Sequence, residues 1–208
     1  MKGLLVKEFY VIRDSLLTLL VIFIAIGVGL AFLISPCVLI TIAAITLSMQ
    51  AITTIQNDKS TQWNRFSATL PVSRVQVVES KYLIYLLLSI TGIALGVIVC
   101  FIASLLKQSF DINELLIYFC LAIIISLLPG SISIPCAFVF DQEKSIMGTV
   151  LSYIVTSGLF AGLIFLLKQF MDPMENILAI YGITAAFSVV VFTLSWLLCP
   201  KRLSKRDI

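Results

Sequence analysis

Hydrophobic and polar positions fall along this chain in long blocks. Residues 15–34, 38–55, 83–106, 115–139, 146–167 and 177–198 contain no Asp, Glu, Lys or Arg, and all the charge lies between them. A bilayer's hydrocarbon core is about 30 Å thick and needs roughly 20 helical residues rising about 1.5 Å each. Every block is long enough to cross it. The pattern therefore predicts an all-α membrane protein with six transmembrane helices over residues 15–198.

Before the first block, Leu4, Leu5, Phe9 and Ile12 recur at near-helical spacing, while Lys2, Lys7 and Arg13 can reach headgroups. Residues 1–14 read as an interfacial helix that turns upward at Asp14-Ser15, either of which could cap the first span. Only Ser35-Pro36-Cys37 separates the first two blocks, which predicts a tight hairpin. In the fourth block Pro129 and Pro135 remove backbone donors and Gly130 permits an unusual turn. A broken or kinked helix is expected there, a candidate gating element. Gly92 and Gly96, and Gly158 and Gly162, form two GxxxG pairs suited to close helix packing, with Ala25 and Gly29 a weaker pair. Ser126, Ser131 and Ser133 are expected to bond back to their own helix.

Composition narrows the class. A hydrophobic share of 60% and a mean hydropathy of +1.12 exclude an ordinary water-soluble domain, and 208 residues leave no room for a separate aqueous core beside six spans. No cleavable small-residue site follows the N-terminus, so the first span is expected to be retained. Cys37, Cys100, Cys120, Cys136 and Cys199 show no C-x-x-C spacing, and the chain has no His to complete a metal site. They read as packing residues, with a Cys100–Cys120 disulfide as the functional alternative. The net charge of +3 gives no support to nucleic-acid binding.

Charge placement predicts orientation. Twelve of the fourteen basic residues precede span one, lie between spans two and three or four and five, or follow span six; Lys107 and Lys168 alone lie opposite. The positive-inside rule puts both termini in the cytoplasm of a multi-pass cell-membrane protein, with residues 199–208 as a basic cytoplasmic tail. Tyr82, Tyr118, Tyr181 and Trp196, near span ends, are expected to anchor at the headgroups.

The longest polar segment, residues 56–82, joins spans two and three on the cytoplasmic side. Trp63, Phe66 and Leu70 recur at three- and four-residue intervals, with Gln62 and Arg65 beside them, and Pro71 ends the run. A short amphipathic helix held by two spans is suited to a groove on a cytoplasmic partner, or to simple anchoring at the membrane face. The run D-K-x-x-x-W-x-x-F-x-x-x-L-P-V-S-R from Asp58 to Arg74, the V-x-S-K-Y at Val78 to Tyr82, and M-K-G-L-L-x-K-[DE]-F-Y at Met1 to Tyr10 together resemble the small ABC-2 type permeases.

That resemblance covers the whole chain and implies a half-transporter that pairs with a second copy of itself or a homologous permease and docks two copies of a separate ATP-binding cassette subunit. ATP and Mg would be bound by that partner, since this chain has no cofactor site of its own and lacks a G-x-x-x-x-G-K-[ST] loop. It further implies that the loop supplies a coupling helix, with Trp63, Arg65, Phe66, Leu70, Pro71, Ser73 and Arg74 contacting the ATPase and Lys81 seating the third span. A second contact would come from Phe140 to Lys144, including Asp141, Glu143 and Lys144. Within the family the chain is similar to permease subunits of staphylococcal-type exporters of phenol-soluble modulins and related antimicrobial peptides.

The function expected is ATP-driven export of amphipathic peptides, with lipids and peptide as the non-protein partners. An ABC-2 exporter of lipid-like or small hydrophobic compounds is the nearest alternative. An ion-coupled secondary transporter would need an ionisable group inside the apolar blocks, which hold none. An intramembrane hydrolase lacks its usual parts. A scaffold or immunity protein that binds an ATPase without transporting stays open.

Overall fold

A computed structural model describes residues 6–13, 15, 16, 18, 19, 21, 23, 25, 35–61, 73–107, 111–140, 142–170 and 176–203. Five long helices follow one another: α1 Val38–Ser60, α2 Arg74–Lys107, α3 Ile112–Val139, α4 Gln142–Phe170 and α5 Ile177–Leu203. Each has the length and hydropathy to cross a membrane, so the chain is a multi-pass membrane protein. Residues 6–13 are also helical. Most of the expected first span, residues 15–34, and all of the expected short helix around Trp63 lie outside the described residues.

The helices outrun the apolar blocks because their ends are set by caps and not by hydropathy. Helix α2 begins nine residues before its block. There Ser73 Oγ accepts from the Gln76 N–H and Gln76 Oε1 accepts from the Ser73 N–H, each at 3.3 Å, a reciprocal capping box. Asp111 opens α3 in the same spirit, accepting from the Asn113 N–H at 2.9 Å, with Glu114 in the first turn. Helix α1 has no side-chain cap. Its first amides turn to carbonyls three residues back, Val38 to Ser35 and Ile40 to Cys37, through the turn made by Pro36. Removing the α2 cap with Ser73→Ala should cost about 1 kcal/mol, read as a lower thermal midpoint of the purified chain in detergent.

Two small residues set the closest packing. A Cβ built on Gly96 would lie 2.6 Å from the Ile40 Cα, and one on Gly92 would lie 2.8 Å from the Ala43 carbonyl oxygen. The α1 and α2 backbones thus touch along this seam, and the first GxxxG pair is spent inside the chain. Gly158 and Gly162 on α4 face open space within 4 Å, so the second pair has no close partner among the described residues. Gly29, of the weaker pair, lies outside the described residues.

Helix α3 packs on all four of the others and α4 is the outermost. Met147, Val150, Leu151 and Ile154 of α4 point outward, as an apolar helix in lipid requires. Of the break or kink expected at Pro129 and Pro135, the break is absent: helix α3 runs continuously through both. At Pro135 a neighbouring helix supplies the missing donor. Pro135 has no N–H to offer the Ser131 carbonyl, which instead accepts from Ser195 Oγ of α5 at 2.7 Å. Near Pro129, the Tyr85 hydroxyl of α2 donates to the Ser126 carbonyl. Gly130 is needed for room: a Cβ there would lie 2.3 Å from the Tyr85 ring. Ser126 and Ser131 do bond back to Ile123 and Leu128, whereas the buried Ser133 hydroxyl has no partner among the described residues.

Candidate functional site

The loop that joins α1 to α2 is rooted in the best-connected end of the bundle. Residues 6–13, the end of α1, the start of α2, the α3–α4 turn and the end of α5 all meet there, as their side-chain contacts show. Glu8 reaches Lys81, Lys59 Nζ donates to the Phe140 carbonyl, and Tyr82 bonds Ser195. The described parts of the basic segments that the sequence assigned to one side thus share one end of the structure.

Four charged side chains converge at the roots of the loop. Lys81 Nζ of α2 lies 2.6 Å from Glu8 Oε1 and 2.5 Å from Asp58 Oδ2 of α1, and donates to Thr54 Oγ1 at 3.3 Å. The Asp58 contact is an ion pair. Lys7 Nζ pairs with Asp58 Oδ1 and lies 3.0 Å from Glu8 Oε1. Two cations thus alternate with two carboxylates and the cluster is neutral. Glu8 is 2% exposed and Lys81 3%, so this is a buried junction held by mutual compensation, since an unpaired charge would be costly there. Lys7, expected at the headgroups, turns inward instead. Its salt-bridging head finds a better partner in a buried carboxylate than in solvent.

Beside it stands an aromatic cluster. Tyr82 is fully buried, with Phe192 edge-on at 5.7 Å between centroids and Trp196 stacked at 6.2 Å, and its hydroxyl meets Ser195 Oγ at 2.8 Å. Tyr82 is therefore a core residue, not a headgroup anchor. Its ring fills the space between α2 and α5, and its polar atom finds an acceptor inside the protein.

Of the residues expected to contact an ATPase, Trp63, Arg65, Phe66, Leu70, Pro71 and Asp141 lie outside the described residues, and only the backbone of Arg74 and Glu143 is described. Ser73 caps α2, and Lys144 is exposed at the start of α4. Lys81, expected to seat the third span and not to contact the ATPase, ties α2 to Asp58 and Glu8. Glu8 and Asp58 were missed by sequence reasoning. Neither stood apart in the sequence, since Asp14, Glu79, Asp141 and Glu143 are acids of the same side.

At the other end of the bundle Cys100 meets Cys37, not Cys120. Their sulfurs are 2.8 Å apart and all five cysteines are free. Burial, with the adjacent Cys100 thiol adding to it, pushes the Cys37 thiol up to about 12, so it stays protonated and packs as a small apolar group.

The family described as ABC-2 family transporter protein matches residues 3–202, nearly the whole chain. This chain belongs to the ABC-2 transporter family. The ABC-2 permease is accordingly the membrane subunit of an ABC transporter, and membership implies an ABC ATPase as partner. No curated protein and no solved structure matches the permease.

An apolar cavity of about 370 Å³ lies beside the seam of the permease. Phe9, Leu16 and Phe23 of the N-terminal region face Leu47 of α1 and Leu88 and Leu95 of α2 across it. Thr46 and Thr91 also line it, and the hydroxyls of both bond back to their own helices.

Proposed function

We propose that this chain is the permease half of an exporter that moves amphipathic peptides out of the cell, working as a dimer with two copies of a separate ATPase. Both termini and the 62–72 loop lie in the cytoplasm in this reading, and the loop carries a short coupling helix. The apolar cavity between the N-terminal region and the α1–α2 seam carries the choice of cargo. A lining of Leu, Phe and internally bonded Thr offers favourable burial to an apolar face and no partner for a small hydrophilic solute. The driving force is differential binding: nucleotide-driven closure of the ATPase favours one packing of the permease over another.

In vesicles holding the permease with its ATPase, Trp63→Ala and Arg65→Glu should lower export of a fluorophore-labelled amphipathic helical peptide at least about tenfold per ATP hydrolysed, the loss expected when a groove anchor is truncated. Insertion into the membrane should be unchanged. Wild-type transport by both variants would remove the loop from the mechanism. Export of a labelled phospholipid in place of the peptide would move the reading to lipid-like cargo, and movement driven by a pH or sodium gradient without nucleotide would overturn the ATP-driven reading.

A further inference from the structure

We propose that the Lys7–Glu8–Asp58–Lys81 junction is the transmission element of this permease, fastening the N-terminal helix to both helices that carry the loop so that the three move as one body. Glu8 and Lys81 are its positioning residues. The proposal rests on the reading that an ATPase pushes on that loop.

The junction lies where such a push would arrive. Asp58 stands three residues before Thr61, at the α1 root of the loop, and Lys81 stands eight residues after Ser73, about 12 Å along α2 at 1.5 Å per residue. Lys81 touches Asp58, so the two roots are joined to each other, and it touches Glu8, so both are joined to the N-terminal helix.

Few other side chains of the described residues 6–13 are buried. Within residues 6–13, Val6, Phe9, Tyr10 and Val11 are exposed, and Glu8 and Ile12 alone are buried, four residues apart on one face. Ile12 joins the apolar core beside Tyr82 and Ile55. An apolar contact of that size is non-directional and lets a helix slide along the bundle. A buried ammonium between two carboxylates does not, because any displacement leaves charge uncompensated. The same helix lines the apolar cavity through Phe9 and Ile12, so a displacement of the loop roots passed through Glu8 would change the shape of the space assigned to cargo.

Amide hydrogen exchange on the permease co-purified with its ATPase tests this. It is read for residues 6–13 and 75–82, with nucleotide absent and with nucleotide trapped by vanadate. In the wild type, both segments should change protection together on trapping. Lys81→Met, and Glu8→Gln as the variant that keeps the side chain's shape, should leave the response at 75–82 intact. Exchange at 6–13 should then be at least about tenfold faster and indifferent to nucleotide. Lys81→Arg, which keeps the charge, should restore the joint response. Export of the labelled amphipathic peptide per ATP hydrolysed should fall in the first two variants and recover in the third, a readout that thermal stability alone does not move. A nucleotide response at 6–13 that survives in both Lys81→Met and Glu8→Gln overturns the junction's role. A wild type in which 75–82 ignores nucleotide defeats the coupled-ATPase reading itself, and the two failures are told apart by that segment.

Discussion

Gly96→Leu is expected to destabilise the chain by at least about 3 kcal/mol, whereas Gly158→Leu should change its stability by no more than about 0.5 kcal/mol. The two glycines occupy the same sequence motif and the same kind of apolar helix. They differ in what lies opposite. A Cβ on Gly96 falls 2.6 Å from a backbone atom, Ile40 Cα, and backbone cannot rotate away as a side chain can. Accommodation requires α1 and α2 to separate, and that seam is the most extensive helix contact described in the structure. Gly158 meets nothing within 4 Å, so a leucine there extends into the space outside α4 and even gains the better helix propensity of Leu over Gly. Thermal unfolding of both variants in the same detergent checks this. Equal midpoints for Gly96→Leu and wild type would mean that the two backbones do not meet as described. A Gly158→Leu chain that keeps its midpoint but loses self-association would place the second GxxxG pair between copies.

The parts of this fold that were legible in the sequence are those fixed by solvent preference. Five of the six apolar blocks coincide with long helices, since a block without charge has one stable form in lipid, the helix that satisfies its own backbone. The basic segments gather at one end for the same reason. What the sequence did not disclose is tertiary compensation. Pro129 and Pro135 read as a break or kink because each deletes a hydrogen bond within its own helix, and nothing local shows that Tyr85 and Ser195, from two other helices, donate beside the first gap and into the second. Tyr82 read as an anchor because it borders a block, yet its ring finds Phe192 and Trp196 more than a hundred residues away.

The candidate site divides in the same way. The loop's apolar ridge at Trp63, Phe66 and Leu70 is a periodic signal and could be read directly from its spacing. The junction beneath it could not. Lys7 and Glu8, Asp58, and Lys81 come from three separate segments, each with an innocuous surface explanation of its own, and only the packing of the N-terminal helix, α1 and α2 together brings them within ion-pair distance. Buried charge at the ends of neutral spans also changes the meaning of the apolar blocks. The lipid-crossing stretches lack ionisable groups, but the bundle does not, and its buried charges sit where the loop is rooted and not along a path through the membrane.

Ser195→Ala should lower stability by about 2 kcal/mol, an unusually large effect for the loss of one hydroxyl. The reason is that this oxygen works in both directions. It donates to the Ser131 carbonyl, which Pro135 has left without its helical partner, and it therefore accepts from the Tyr82 hydroxyl. Alanine leaves both groups without this partner, the Ser131 carbonyl beside its proline and the Tyr82 hydroxyl inside the packed bundle. Tyr82→Phe removes the outer link alone. Ser195 still satisfies Ser131, so that variant should cost about 0.5 kcal/mol, near the mean for a hydrogen bond between membrane helices. The double variant should then be no worse than Ser195→Ala by more than about 0.3 kcal/mol, because the second change removes a donor already orphaned by the first. Chemical or thermal unfolding of the three variants supplies the cycle. Additive losses would mean that Tyr82 and Ser195 are not coupled, and a Ser195→Ala chain as stable as Tyr82→Phe would mean that α3 passes Pro135 without help from the α5 helix that crosses beside it.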